Sequence, residues 1–257
     1  MKKFLLVAFC SFLQVGCFSA SKHAAESTFS DPQVIELANA AKDGDTEKID
    51  ELLAQGVDIN TVGKKGLNIL YWLLVMNEET PEKKLGFRHL LESGANALQV
   101  DEDVELTPLH VSARYIDSDY LKIILETQPN IDIDFDLGDR LSPTPLMQAM
   151  AADRYENFKI LLDHGADIEK KRVNGDTPLI MARGNGSWRF AYLLLENEAD
   201  YNYAKDKLVW AIENLVYRPS VAIKHRGTDY RQKVIDFLRE KGVEVNPWMP
   251  EDEGSSD

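Results

Sequence analysis

The sequence predicts an all-α solenoid of about six helix-turn-helix units with short hairpin arms. Three observations carry this. One and the same interval separates Thr107 from Leu125, Thr144 from Leu162, and Thr177 from Leu195. Each threonine opens a related string: LTPLHVSA from Leu106, PTPLMQAM from Pro143 and DTPLIMA from Asp176. Short turns, several of them glycine-led, close the units, at Gly56, Gly94, Gly165, Glu198 and Gly242. Equal offsets around different sequences point to one supersecondary unit used repeatedly.

The units follow in order. In the first, Ile35, Leu37 and Ala40 take the threonine, leucine and alanine places, and Leu53 stands at the common interval from Ile35. In the second, Asn68, Leu70 and Leu73 do so, but Leu91 lies beyond Asn68 by more than that interval. Units three, four and five carry the clear strings. The last uses Asp206, Leu208 and Ala211, with Leu238 much farther on. Thr107, Thr144 and Thr177 are placed to satisfy free backbone donors at first-helix starts. Pro108, Pro145 and Pro178 follow where a missing N–H does no harm. Ala113, Ala149 and Ala182 permit close helix approach. Leu121, Ile124 and Leu125 repeat at helical spacing in a second helix, as do Phe158, Leu161 and Leu162. Gly165 ends such a helix by taking a left-handed backbone cheaply. One helix pair cannot bury its apolar stripe alone, so the units must stack into one core over residues 31–245.

Two excesses read as inserted loops, places that often carry binding, with neutral drift in an exposed loop the alternative. The first is Asn77 to Phe87. The second runs from Glu213 to Gln232 and is locally basic and aromatic, with Tyr217, Arg218, Lys224, Arg226 and Tyr230. That cluster suits an acidic partner surface or lipid headgroups; a solvated loop is the plainer reading. Trp188 is a candidate contact at an inter-helix turn, with packing into the core or as a local cap an equal reading. Tyr115 and Tyr155 are read as matching turn residues lining one concave surface. Trp72 and Trp210 are read as core. Acidic runs fall in the arms, DEDVE from Asp101 and IDIDFDLGD from Ile131. Their spacing lacks the glycine and closing glutamate of a calcium loop, and they read as an acidic edge.

These strings and turns resemble the ankyrin repeat family, over residues 31–245. The family's histidine place holds His110 in one unit and Met147, Ile180 or Val209 in others, and Pro129-Asn130 replaces one glycine turn. The resemblance implies an inter-turn hydrogen bond for His110. It implies protein binding through the concave face and arms.

Ahead of the repeats, Lys2 and Lys3 precede an uncharged apolar run from Phe4 to Gly16. A run this short reads as an export signal rather than a spanning helix. Gly16 before Cys17 resembles a bacterial lipoprotein signal, although Gln14 departs from its pattern. That resemblance implies cleavage before Cys17 and lipidation of it. Phe18 would then favour the outer membrane, on its periplasmic side. Cleavage near Ala20 or Ser21 is the competing reading. Residues 17–30 are read as a polar tether and residues 246–257 as an acidic disordered tail.

The charge narrows the partner. With 43 acidic against 29 basic side chains, the formal charge is -14. Binding to a nucleic-acid backbone wants the opposite sign, so a protein with an electropositive surface is expected. No nucleophile elbow, zinc motif or phosphate loop is present in the sequence. No catalytic residue, cofactor, metal or small-molecule substrate is expected. The overall look is similar to that of exported bacterial ankyrin proteins that act as immunity proteins against secreted antibacterial effectors, phospholipases among them. An envelope adaptor binding the cell's own enzymes is the alternative.

Overall fold

Helix starts organise this chain. In the computed structural model, which describes residues 24–76, 79–101, 105–115, 117–138, 143–183, 187–214 and 229–246, each threonine of the repeated string caps its helix. The hydroxyl oxygens of Thr107, Thr144 and Thr177 accept the N–H groups of His110, Met147 and Ile180 at 3.3, 3.3 and 3.4 Å. Asn68 does the same for Tyr71 at 2.7 Å. A proline occupies the first turn behind each of the three threonines, where its missing donor costs nothing.

Thirteen α-helices and no strand are found among the described residues. A short α1 (Ala25–Thr28) precedes six antiparallel pairs. The first helices are α2 (Pro32–Asp43), α4 (Ile69–Val75), α6 (Pro108–Arg114), α8 (Pro145–Ala151), α10 (Pro178–Met181) and α12 (Tyr201–Asn214). Their partners are α3 (Thr46–Ala54), α5 (Pro81–Glu92), α7 (Asp119–Thr127), α9 (Tyr155–Asp163), α11 (Trp188–Glu196) and α13 (Tyr230–Glu240). First helices stack on first helices, as α6 on α8, and second on second, as α5 on α7. One hydrophobic core runs the length of the stack, from Ala25 to Val245. This is an all-α solenoid of stacked helix pairs, the fold that the ankyrin resemblance implies.

Polar side chains tie the units together. His110 Nε2 lies 3.0 Å from the Pro143 carbonyl oxygen, so it must carry the proton and donate. Nδ1 then accepts from the Thr107 hydroxyl at 2.7 Å. Asn157, buried on α9, donates its side-chain amide to the carbonyls of Ser112, Ala113 and Tyr115 at 3.1, 3.0 and 2.8 Å. The open end of α6 is thus capped by the next unit.

Several expectations fail here for physical reasons. The first insertion is not a loop through its length. Thr80 accepts the Lys83 N–H at 3.1 Å, Pro81 follows, and Pro81 to Phe87 form the first turns of α5. Lys83, Gly86 and Phe87 are buried there. Nor do residues 17–30 form a tether throughout. Ala25 and Phe29 are each 1% exposed, and Phe29 meets Trp72 edge-on at 6.2 Å. That aromatic contact ties the segment ahead of α2 to α4. Trp72 is core, at 1% exposed, whereas Trp210 is not, at 56%. Residues 1–16, Cys17, most of the second insertion, and residues 247–257 lie outside the described residues.

Candidate partner-binding edge

Between successive helix pairs the chain projects as an arm and returns. Among the described residues, backbone bonds rather than strand ladders close the arms: Gly63 N–H to Leu67 O at 2.9 Å, Asp101 to Leu106 at 2.9 Å, Leu137 to Pro143 at 3.0 Å and Arg172 to Asp176 at 3.0 Å.

Side-chain carbonyls and carboxylates build the arm bases. Asp58, Asn96, Asp132, Asp167 and Asp200 each accept the N–H two residues on, at 2.8 to 3.2 Å. Such Asx turns set the chain direction locally. A second set joins neighbours. The Asn96 N–H donates to Asn60, the Asp167 N–H to Asp134 and the Asp200 N–H to Glu169, at 2.8, 2.9 and 2.7 Å. The spacing of the arms is therefore fixed by bonds between them.

This changes the meaning of the acidic run. Asp132 makes a turn, Asp134 grips the next unit, and Asp136 accepts the Gly138 N–H at 2.8 Å while facing Lys170 at 3.5 Å. Burial raises the Asp134 carboxyl, with like charges from Asp167 and Asp132 adding to it. Asp139 lies outside the described residues. Among the described residues no group of three or more His, Cys, Asp or Glu side chains is arranged to hold a metal ion.

Asp176 is the charged hub of the fourth arm. It takes Lys207 from α12, the Asn174 amide at 3.1 Å, and Arg183 and Arg172 at 3.8 and 3.9 Å. Burial by itself raises this carboxyl; the Lys207 hydrogen bond and charge, with Arg183, outweigh that and hold it below the usual carboxylate range.

Apolar side chains stand out from this polar frame. Val62, Val100 and Val173, each in a different arm, are 45%, 41% and 77% exposed. Tyr203 joins them at 45%, its hydroxyl donating to the Gly175 carbonyl at 2.9 Å and its ring 4.0 Å from Lys171 Nζ. None of the four stands out in the sequence. The available signal was an apolar residue recurring between closing turn and threonine.

The sequence-chosen aromatics lie elsewhere. Tyr155, Trp188 and Tyr230 are the first residues of α9, α11 and α13. All three hold equivalent places at the far ends of the helix pairs from the arms. Tyr155 packs against Phe190 at 5.8 Å with the Arg189 guanidinium 4.9 Å from its ring. Tyr230 meets Tyr192 at 6.0 Å, and Trp188 is half-buried against the core rather than standing at an open turn. Tyr115 does not match Tyr155. It follows the end of α6, the place that Ala152 takes after α8, and burial pushes its phenol up to about 12. Tyr217, Arg218, Lys224 and Arg226 lie outside the described residues.

Comparison with known proteins agrees with the geometry. Residues 84–172 match a family model described as ankyrin repeats, in three copies. The chain is 34% identical over 110 residues to Neurogenic locus notch homolog protein 1 of Xenopus tropicalis, which is 41% of this chain and 4% of that protein. The Homo sapiens protein of the same name is 30% identical over 140 residues, 52% of this chain and 5% of its own length. The chain thus spans only a small part of these relatives. The putative ankyrin repeat protein YahD of Escherichia coli K12 is 25% identical over 191 residues, 61% of this chain and 92% of YahD. Ankyrin repeats are protein–protein interaction modules, and residues 84–172 match three copies of them.

Proposed function

We propose that this protein binds another protein along its arm edge, and that binding rather than catalysis is its task. One observation supports this above others. Val62, Val100 and Val173 on three arms, and Tyr203 on α12 beside the arm residue Gly175, recur as exposed apolar side chains, and hydrogen bonds join neighbouring arms at their bases. A rigid row of apolar contacts inside a polar rim is what a partner needs to dock without an ordering cost. The formal charge of -14 selects an electropositive partner and speeds its approach.

The finer reading rests on the sequence. The apolar leader and Cys17 support export and a lipid anchor, on the periplasmic side of the outer membrane. The likeness to exported immunity proteins supports capture of a secreted antibacterial effector, a phospholipase for example, by stoichiometric occlusion. Co-expression with the product of a neighbouring effector gene tests it. Protection that is lost when Val100 and Val173 are both changed to Asp supports the reading. Toxicity that is the same with and without this protein sinks it. Mass spectrometry of the mature amino terminus checks the anchor separately.

A further inference from the structure

The fourth arm gathers positive charge in a chain that is acidic overall. Lys171 and Arg172 stand in the arm, Arg183 follows α10, and Lys207 belongs to α12. Among the described residues, the one carboxylate that these four cations contact is Asp176. The place before the helix cap holds Leu67, Leu106 and Pro143 in the preceding units. Here it holds a buried acid, which draws side chains from three elements to one point.

That acid does not use up the donors. Lys207 is within hydrogen-bond reach of it. Arg172 and Arg183 stand off at 3.9 and 3.8 Å, too far for such a bond. Arg183 spends one N–H on the Ile180 carbonyl at 2.7 Å. The Arg172 side chain is only 15% exposed, yet among the described residues no acceptor meets its buried Nε. Buried donors are normally paired. A guanidinium carries five donors in a planar fork that fits a carboxylate. A fork held in place and left unbonded calls for an acceptor from outside the chain.

The surroundings suit the same visitor. Val173, next to Arg172, is exposed, and so is Tyr203. The Tyr203 hydroxyl is tied to the Gly175 carbonyl, and the Lys171 ammonium lies over its ring. Apolar footing therefore stands beside the cations.

We propose that the fourth arm takes an Asp or Glu side chain of the protein partner, held by Arg172, Arg183 and Lys207 beside Val173 and Tyr203. The proposal rests on the arm-edge reading and names the chemistry of one contact on it. The charge of -14 draws in a partner that is electropositive overall, and an acid on that partner fixes its register at this arm.

The test titrates the isotope-labelled full chain with short peptides of repeating Glu-Leu-Gly, Gln-Leu-Gly or Lys-Leu-Gly, read by amide NMR shifts. The Glu peptide is expected to move the amides of Arg172, Val173, Gly175 and Tyr203. The Gln peptide is expected to bind there about tenfold more weakly. Arg172→Met should keep the Tm, because that fork has no hydrogen bond to lose, and weaken the Glu peptide about tenfold. Equal binding of the Glu and Gln peptides, shifts away from this arm, or unchanged affinity in Arg172→Met overturns the proposal. Shifts along the arms from the Lys peptide alone also overturn it, and leave the arm edge standing as a docking surface. Failure of the arm edge itself is read separately, from capture on the Val100→Asp/Val173→Asp variant.

Discussion

His110 Nε2 sits 3.0 Å from the Pro143 carbonyl oxygen, holding the third first helix to the arm that precedes the fourth. Burial pushes the imidazole down from 6.5 to about 4, against the opposing pull of that carbonyl. The folded protein therefore binds this proton less readily than the unfolded chain. The stabilisation is fully present above the unfolded value and is lost as pH falls from about 6.5 toward 4. Between pH 7 and 5 this group should remove about 2 kcal/mol. Urea unfolding at the two pH values checks it, with His110→Gln flattening that part of the profile.

Gly86 on α5 crosses α2 with no room for a side chain. A Cβ there would fall 1.9 Å from the Ala41 carbonyl oxygen, a backbone atom that cannot swing away. Gly86→Ala should destabilise by about 2–3 kcal/mol, as overpacking does. Gly94→Ala is the contrast: nothing lies within 4 Å and only its positive φ of 98° is strained. That change should cost about 1–2 kcal/mol. Chemical denaturation of the two variants ranks them.

Glu198 holds a φ of 66° in the turn where Gly165 and Gly242 close other units at 84° and 76°. A side chain meets a steric penalty in that conformation that glycine escapes. Glu198→Gly should raise stability by about 0.5–1 kcal/mol, the strain relieved exceeding the entropy lost. A lowered midpoint in urea would count against the assignment.

Phe29 is buried against Trp72, ahead of the first full unit. Phe29→Ala should cost about 3–4 kcal/mol, the usual loss for a core aromatic. Were residues 17–30 a solvated tether throughout, the change would be nearly silent. Thermal unfolding separates the two outcomes.

The stack was readable because its signals are periodic and local. Threonine-proline starts, equal threonine-to-leucine offsets and closing turns each follow from helix chemistry, and the structure uses Thr107, Thr144 and Thr177 as caps. Position along the chain was less reliable than position within a unit. Tyr155 and Trp188 stand equally far past Thr144 and Thr177, whereas Tyr115 stands closer to Thr107. Tyr155 and Tyr115 therefore never shared a place, and Trp188 is the true match. Helix propensity hid in the first insertion, where Thr80-Pro81 is the same start signal as Thr107-Pro108. Trp210 misled because period alone does not say which side of a final helix has a neighbour. The arms misled most. Aspartates that looked like a docking surface are committed to turns and inter-unit bonds, leaving valines and a tyrosine outermost.

Affinity capture from envelope extract, and from extract containing neighbouring-gene products, tests the binding role most directly. The bait is the mature protein, set beside a Val100→Asp/Val173→Asp variant of unchanged Tm. The account predicts one protein retained in near-stoichiometric amount by the first and reduced at least tenfold on the second, about 1.4 kcal/mol in affinity. An identical set of proteins on both baits, in equal amounts, would contradict it.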